Sequence, residues 1–277
     1  MRIDFHTHIF PPGARERRAS FLHDPGFSAL YSTSPSRMAG HEDLLEAMNR
    51  DGIDAAVAMG FPWTDEESAG LHNDYLLESS RESAGRIVPF ACVPRSCTSI
   101  TAYTRDLARA GFRGIGELAF YHEGFNALQE DFLAGVISAA GECALAVCLH
   151  LNEPLGHDYP GKYQTPFSSI YRIVLEHPGV PIILSHWGGG ILFYELMPEV
   201  RAAFAHVYYD TAASPYLYRD DVYAAAAGIA GPGKILFGTD FPLLSAARYV
   251  HAIEASSLDE GAISGILGEN ARRLLLG

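Results

Sequence analysis

"RIDFHTHIF", residues Arg2 to Phe10, sets two histidines two positions apart in an otherwise apolar run. Ile3, Phe5 and Ile9 suit a strand. Successive side chains on a strand alternate faces, so His6 and His8 point the same way, with backbones about 7 Å apart. That spacing lets two imidazole nitrogens close on one ion, although a buried histidine is as readily a hydrogen-bonded core residue. What else in the chain reaches the same place decides between the two.

Working outward from this first strand, eight short β-branched or aromatic runs stand out. They are Arg2–His8, Asp54–Gly60, Ile87–Val93, Phe112–Leu118, Leu145–Leu151, Pro181–Trp187, Val207–Ala213 and Lys234–Asp240. Segments with helical spacing separate most of them. "HEDLLEAMNRDG" places Leu44, Leu45 and Met48 on one face and stops at Gly52. "SITAYTRDLARAG" repeats Ile100, Tyr103, Thr104 and Leu107 at helical intervals and stops at Gly111. Leu128–Ala140, Ser168–His177, Leu192–Phe204, Arg219–Ala230, Ala246–Ser256 and a closing "ISGILGENARRLLL" continue the alternation.

Strand–helix alternation means parallel strands joined by right-handed crossovers. Eight such units in 277 residues match a (β/α)8 TIM barrel, read as one domain over residues 1–277 with a long loop after the first strand. An open doubly wound sheet would want a Gly-rich phosphate loop after its first strand, and none is present. The Gly cluster "HWGGGI" follows the sixth strand instead and reads as a tight, closely packed turn.

Composition narrows the class. With 48% hydrophobic and 19% charged residues the chain is ordinarily globular. A net charge of −13 disfavours nucleic acid and anionic membranes, because the mean field repels phosphate. No signal peptide opens the sequence, and no apolar run is long enough to span a bilayer. Four cysteines, Cys92, Cys97, Cys143 and Cys148, are too few and wrongly spaced for a disulfide scaffold or a paired zinc knuckle. The cytoplasm is the expected compartment.

Chemistry in such barrels sits at the C-terminal ends of the strands. Reading that end of each strand gives His6 and His8, Glu117, His150, His186 and Asp240, several closing apolar runs such as "AVCLH", "IILSH" and "ILFGTD". All are nitrogen or oxygen ligands for a divalent first-row metal. A buried unpaired carboxylate costs several kcal/mol, so Glu117 and Asp240 need a counter-charge, and a metal supplies it.

The stretches "DFHTH", "GIGELAF", "LHLNEP", "ILSHWGGG", "LFGTDFPL" and "ILGENARRLLL" resemble the metal-dependent hydrolases of the amidohydrolase superfamily. The resemblance is closest to the branch that also holds aminocarboxymuconate semialdehyde decarboxylase and related decarboxylases, lactonases and hydratases. It spans essentially the whole chain. It implies that His6, His8, His150 and Asp240 hold one ion, zinc first and manganese second. It makes His186 either a ligand to a second ion or a proton shuttle. Glu117 would bridge two ions or, in the decarboxylase-like arrangement, belong to a single-metal site or lie just outside it.

Asp240 would then act as ligand and base, with His186 the second catalytic residue, and the metal would activate a water. The expected reaction is hydrolysis of a small ester, lactone or amide. The alternative is a metal-dependent decarboxylase acting on an aromatic or unsaturated carboxylic acid, and a non-catalytic metal- or ligand-binding barrel is a third reading. Either enzyme takes a small-molecule substrate; a homo-oligomer is left open.

The loops should carry specificity. Asn152, His157, Tyr159 and Lys162 follow the fifth strand at the rim, with Lys162 the candidate for an anionic group and Trp63 the candidate wall. Ile9–Gly40, with Arg15, Arg17 and Arg18, reads as a lid or a solvated excursion. Asp210 is expected to make a structural or supporting hydrogen bond. Asp4 is expected on the face of His6 and His8, deeper in the barrel.

Overall fold

A computed structural model describes residues 1–33 and 36–276 and pairs eight parallel strands in chain order. They are β1 (Ile3–His8), β2 (Ala55–Met59), β3 (Ile87–Ala91), β4 (Gly114–Leu118), β5 (Ala146–Leu149), β6 (Ile182–Leu184), β7 (Val207–Asp210) and β8 (Ile235–Leu236). The ring closes between β8 and β1. Phe5 N–H donates to the Phe237 carbonyl at 2.7 Å, Asp240 N–H to His6 O at 2.9 Å, and His8 N–H to Phe241 O at 2.9 Å. The fold is the expected (β/α)8 barrel.

The alternation of strand side chains separates two buried layers. Val57, Met59, Phe90, Ile183 and Leu236 fill the interior, where Phe5 meets Phe90 edge-on at 5.6 Å. Ala56, Ala58, Ile115, Val147 and Leu184 face the surrounding helices. Twice the parity slips by one residue. In β1 the register shifts between Asp4 and Thr7, and in β4 between Ile115 and Leu118. An extra residue of this kind re-aims a side chain. The slips turn His6 and Glu117 inward and leave Asp4 on the outer side.

Asp4 therefore does not share the face of His6 and His8, as strict alternation suggests. Its carboxylate accepts from Thr239 Oγ1 at 2.6 Å and Thr239 N at 3.0 Å. Burial raises its pKa to about 7. It lines a cavity outside the barrel wall, beside the helix His41–Asp51, that contains none of the six rim residues.

Most strands end earlier than the apolar runs suggest, and at two of them this aims a rim residue. β6 stops at Leu184, and His186 and Trp187 take left-handed conformations, φ 56° and 59°. β8 stops at Leu236, and Asp240 lies beyond it at φ 61°. Three glycines complete the first turn, and Gly189 has no alternative there: a Cβ would stand 2.4 Å from the Asn152 carbonyl oxygen. The Gly cluster is thus a tight turn packed on the neighbouring loop.

The 17-residue helix Glu66–Glu82 escapes a reading by apolar period, because Ser68, His72, Asn73 and Ser79 are among the residues it buries. Leu192–Phe204 is a 3-10 turn, Ile191–Leu196, and then a helix, Pro198–Ala203. Pro198 forces Met197 out of the helical region and divides them. Ile9–Gly40 is mostly packed chain, with short helices at Pro12–Glu16 and Pro25–Tyr31. Arg18 ties its carbonyls together at Thr33 (3.0 Å) and Ser36 (2.8 Å). Ser34 and Pro35 in this loop, and Gly277, lie outside the described residues. Among the described residues no helix is long and apolar enough to cross a membrane.

Candidate metal centre and substrate cavity

Hydrogen bonds decide which imidazole nitrogens face the centre. His6 Nδ1–H donates to Asp210 Oδ2 at 2.8 Å, which leaves the Nε2 lone pair pointing inward. His186 Nδ1–H donates to the Ala212 carbonyl at 3.1 Å, and its Nε2 also points inward. His150 is wired the other way. Asn152 Nδ2 donates to its Nε2 at 2.8 Å, so Nδ1 carries the hydrogen and donates to Glu117 Oε1 at 2.9 Å.

Five of the six rim residues fall into two overlapping groups with ligand spacing, and His150, expected as a ligand, stands beside them with its ring nitrogens bonded to Glu117 and Asn152. His6, His8 and Asp240 form one; His6, Glu117 and His186 form the other. His6 Nε2 lies 3.0 Å from His8 Nε2, and Asp240 Oδ1 lies 3.3 Å from His8 Nε2 and 3.7 Å from His6 Nε2. Two imidazole lone pairs at 3.0 Å repel unless a proton or a cation sits between them. Two nitrogens and a carboxylate oxygen at these spacings suit a divalent first-row ion, so the residues fit a metal.

The electrostatics point the same way. Burial disfavours charge on His6, but Asp210 and Glu117 override it and raise its pKa to about 10. His186 is raised to about 9 against its own burial, chiefly by Glu117. Burial opposes the charge of Glu117 and Asp240 as well. His150 and His6 nevertheless hold Glu117 well below the carboxylate range, and His8 and His6 hold Asp240 at about 2. The carboxylates demand positive charge, which protons or a divalent cation can provide.

The cluster forms the base of a cavity of about 480 Å³. Phe61 and Tyr121 stack at 6.1 Å on one wall, Tyr31 joins them, and Tyr121 Oη lies 3.4 Å from Glu117 Oε2. His157, Tyr159 and Arg37 also line it. The sequence reading names His157 and Tyr159 at this rim but passes over Arg37, Phe61 and the two other tyrosines.

Three expected substrate contacts fall elsewhere. Trp63 is buried behind the wall, stacked on Phe27 at 5.0 Å, because its indole N–H finds a partner in His72 Nδ1 at 3.0 Å. Lys162 turns away from the cavity: its ammonium donates to the carbonyls of Leu155 (3.0 Å) and His157 (2.9 Å) and braces their loop. Asn152 is buried beneath the rim. Besides His150 it bonds Tyr159 Oη and the Tyr163 N–H, so it positions His150. His72, which has no partner evident in sequence, joins the loops after β1 and β2. Its Nε2–H donates to Ile9 O at 2.7 Å, and Nδ1 accepts from Phe61 N at 3.3 Å and from Trp63.

Fold and site define a (β/α)8 barrel with a cluster of histidines and carboxylates that could hold a metal at the C-terminal ends of its strands. Residues 3–276 match the Amidohydrolase family, and the chain belongs to it. Two curated relatives are each 26% identical. Decarboxylase macB of Penicillium terrestre aligns over 87% of this chain and 84% of its own. The 6-methylsalicylic acid decarboxylase acuB of Aspergillus aculeatus aligns over 99% and 96%.

The fold is shared with 5-carboxyvanillate decarboxylase LigW from Sphingomonas paucimobilis, at TM-score 0.77, 17% identity and coverage of 99% and 98%. It is also shared with the 5-carboxyvanillate decarboxylase of Novosphingobium aromaticivorans, complexed with manganese and a hydroxymethoxynitrobenzoic acid. That match has TM-score 0.77, 16% identity and coverage of 99% and 96%. These findings correct the expectation of hydrolysis of an ester, lactone or amide: both curated relatives are named decarboxylases.

Proposed function

We propose that the protein is a metal-dependent decarboxylase of an aromatic carboxylic acid. The observation that carries this reading is the metal-ligating cluster at the base of a cavity walled by Phe61, Tyr31 and Tyr121, in a chain whose curated relatives are decarboxylases. His6, His8 and Asp240 would hold one ion, and manganese, present in the Novosphingobium structure, is the first metal to test. When bound, it would fix the acid and withdraw electrons from it.

Decarboxylation exchanges a ring C–COO⁻ bond for a C–H bond, so the site must deliver one proton to the ring carbon. His186 is our candidate carrier. Its Nε2 faces the cavity, Glu117 and Asp240 keep it charged, and the Ala212 carbonyl holds its orientation. The proton passes to the ring carbon, the C–C bond breaks, its electron pair restores the aromatic ring, and carbon dioxide leaves. Glu117 holds His150, and Arg37 at the wall offers the acid a second positive charge. With four free thiols the cytoplasm is the compartment we assign.

The test is carbon dioxide release from a panel of hydroxybenzoic acids by manganese-loaded protein in D2O. The expected product carries one deuterium at the vacated carbon. Acids returned unchanged by metal-loaded protein would remove the proposal.

A further inference from the structure

The cavity is larger and more apolar than a bare benzoic acid requires. Its volume of about 480 Å³ falls within the ~300–1,000 Å³ of pockets that enclose drug-sized ligands. The basal cluster includes His8, Glu117, His186 and Asp240. Beyond that cluster the lining includes Leu30, Leu217, Leu243, Pro242 and the exposed Tyr216, beside Arg37 and His157. Leu243 is 46% exposed and Tyr216 55%, so apolar surface stands open to water where a ligand would cover it.

Charge supports the same division. Outside the basal cluster, Arg37 supplies the one formal charge among the described lining residues. With Arg37 engaged by the first carboxylate, a second one on the ring would meet this apolar wall and lose hydration without a charged partner. The wall is also closely held: Leu30 and Tyr121 pack against the Gly161 backbone, so that a Cβ there would stand 2.5 Å from Leu30.

We propose that the outer cavity, centred on Leu30, Leu217 and Leu243, is a subsite for an apolar ring substituent of two or more carbons. The substrate class is then an alkyl- or aryl-substituted aromatic monocarboxylic acid, neither bare benzoate nor a dicarboxylate. This rests on the decarboxylase reading for the acid group, while the subsite rests on the wall itself.

Binding and turnover separate the two claims. Manganese-loaded protein is titrated calorimetrically with 2-hydroxybenzoic acids carrying hydrogen, methyl, propyl or pentyl at position 6, and carbon dioxide is measured on the same series. Kd should tighten about fourfold per methylene through propyl, the ratio matching ~0.8 kcal/mol per buried CH₂. Leu217→Ser should flatten that slope, and Leu217→Trp, which fills the subsite, should reverse it; the second variant stands if the first fails to fold. A flat or weakening series in the parent, or tightest binding of the unsubstituted acid, would overturn the subsite. An intact slope without carbon dioxide from any acid supports the subsite and removes decarboxylation. Carbon dioxide released fastest from the unsubstituted acid, with no slope, does the reverse.

Discussion

Asp210 Oδ2 accepts the His6 Nδ1–H at 2.8 Å, while Asp210 Oδ1 accepts the backbone N–H groups of His186 at 2.9 Å and Ala212 at 3.1 Å. One buried carboxylate thus sets the tautomer of one histidine and the position of another. An asparagine has a single oxygen, so it cannot accept from both sides, and its NH₂ would face a donor. Asp210→Asn should weaken manganese binding by roughly 10–100-fold with the barrel intact, the range for groups that orient metal-ligating histidines. Calorimetric titration checks this; affinity within twofold of the parent would remove the role.

Metal binding should depend on pH. His6 keeps its proton up to about 10 in the metal-free protein, and an incoming ion held by its Nε2 must displace it. Apparent affinity should therefore rise between pH 6 and 9, with protons released on loading. Titrations in two buffers of different ionisation enthalpy count them. Chelation should abolish turnover but preserve the far-UV circular dichroism, and manganese should restore it.

Glu117→Gln addresses the number of ions. Glu117 Oε1 accepts from His150, and its oxygens lie 3.7 Å from His6 Nε2 and His8 Nε2. The expected outcome is one ion per chain in parent and variant. Turnover should fall by ~10²-fold or more, because the charge that keeps His186 protonated is gone. Two ions in the parent and one in the variant would make Glu117 a bridge.

His72 should make the fold sensitive to acid. Burial lowers its pKa from 6.5 to about 4, and protonation of Nδ1 would oppose the N–H groups of Phe61 and Trp63. A base depressed in the folded state gives its full contribution above the unfolded pKa. That contribution is lost as pH falls from 6.5 to 4, amounting to about 3 kcal/mol at ~1.36 kcal/mol per pH unit. Urea unfolding of the parent and His72→Gln between pH 7.5 and 4.5 measures it. Equal slopes for the two proteins would assign the acid sensitivity elsewhere.

Gly238 passes directly over His6. A Cβ there would stand 2.7 Å from His6 Cβ and 3.3 Å from His6 N. Gly238→Ala should cost ~1–3 kcal/mol, as overpacking does, and should lower metal affinity because His6 is displaced. Thermal unfolding with and without manganese reads both effects.

The amino-acid sequence by itself determined the barrel and the donor set. Eight apolar runs separated by helical spacing admit few topologies, and a histidine or carboxylate closing such a run is visible without coordinates. Direction was a matter for the tertiary structure. Register slips beside β2 and β5 turn His6 and Glu117 inward and Asp4 outward, and left-handed residues after β6 and β8 aim His186 and Asp240. Trp63 and Lys162 carry suitable chemistry, yet their partners are His72 Nδ1 and two loop carbonyls. The helix Glu66–Glu82 buries polar groups whose partners include the ends of β1 and β2 and the loop after β3. Spacing along a chain dictates which residues share a face only while the backbone keeps its period. Where a bulge, a turn or a distant hydrogen-bond partner breaks that period, packing chooses the direction.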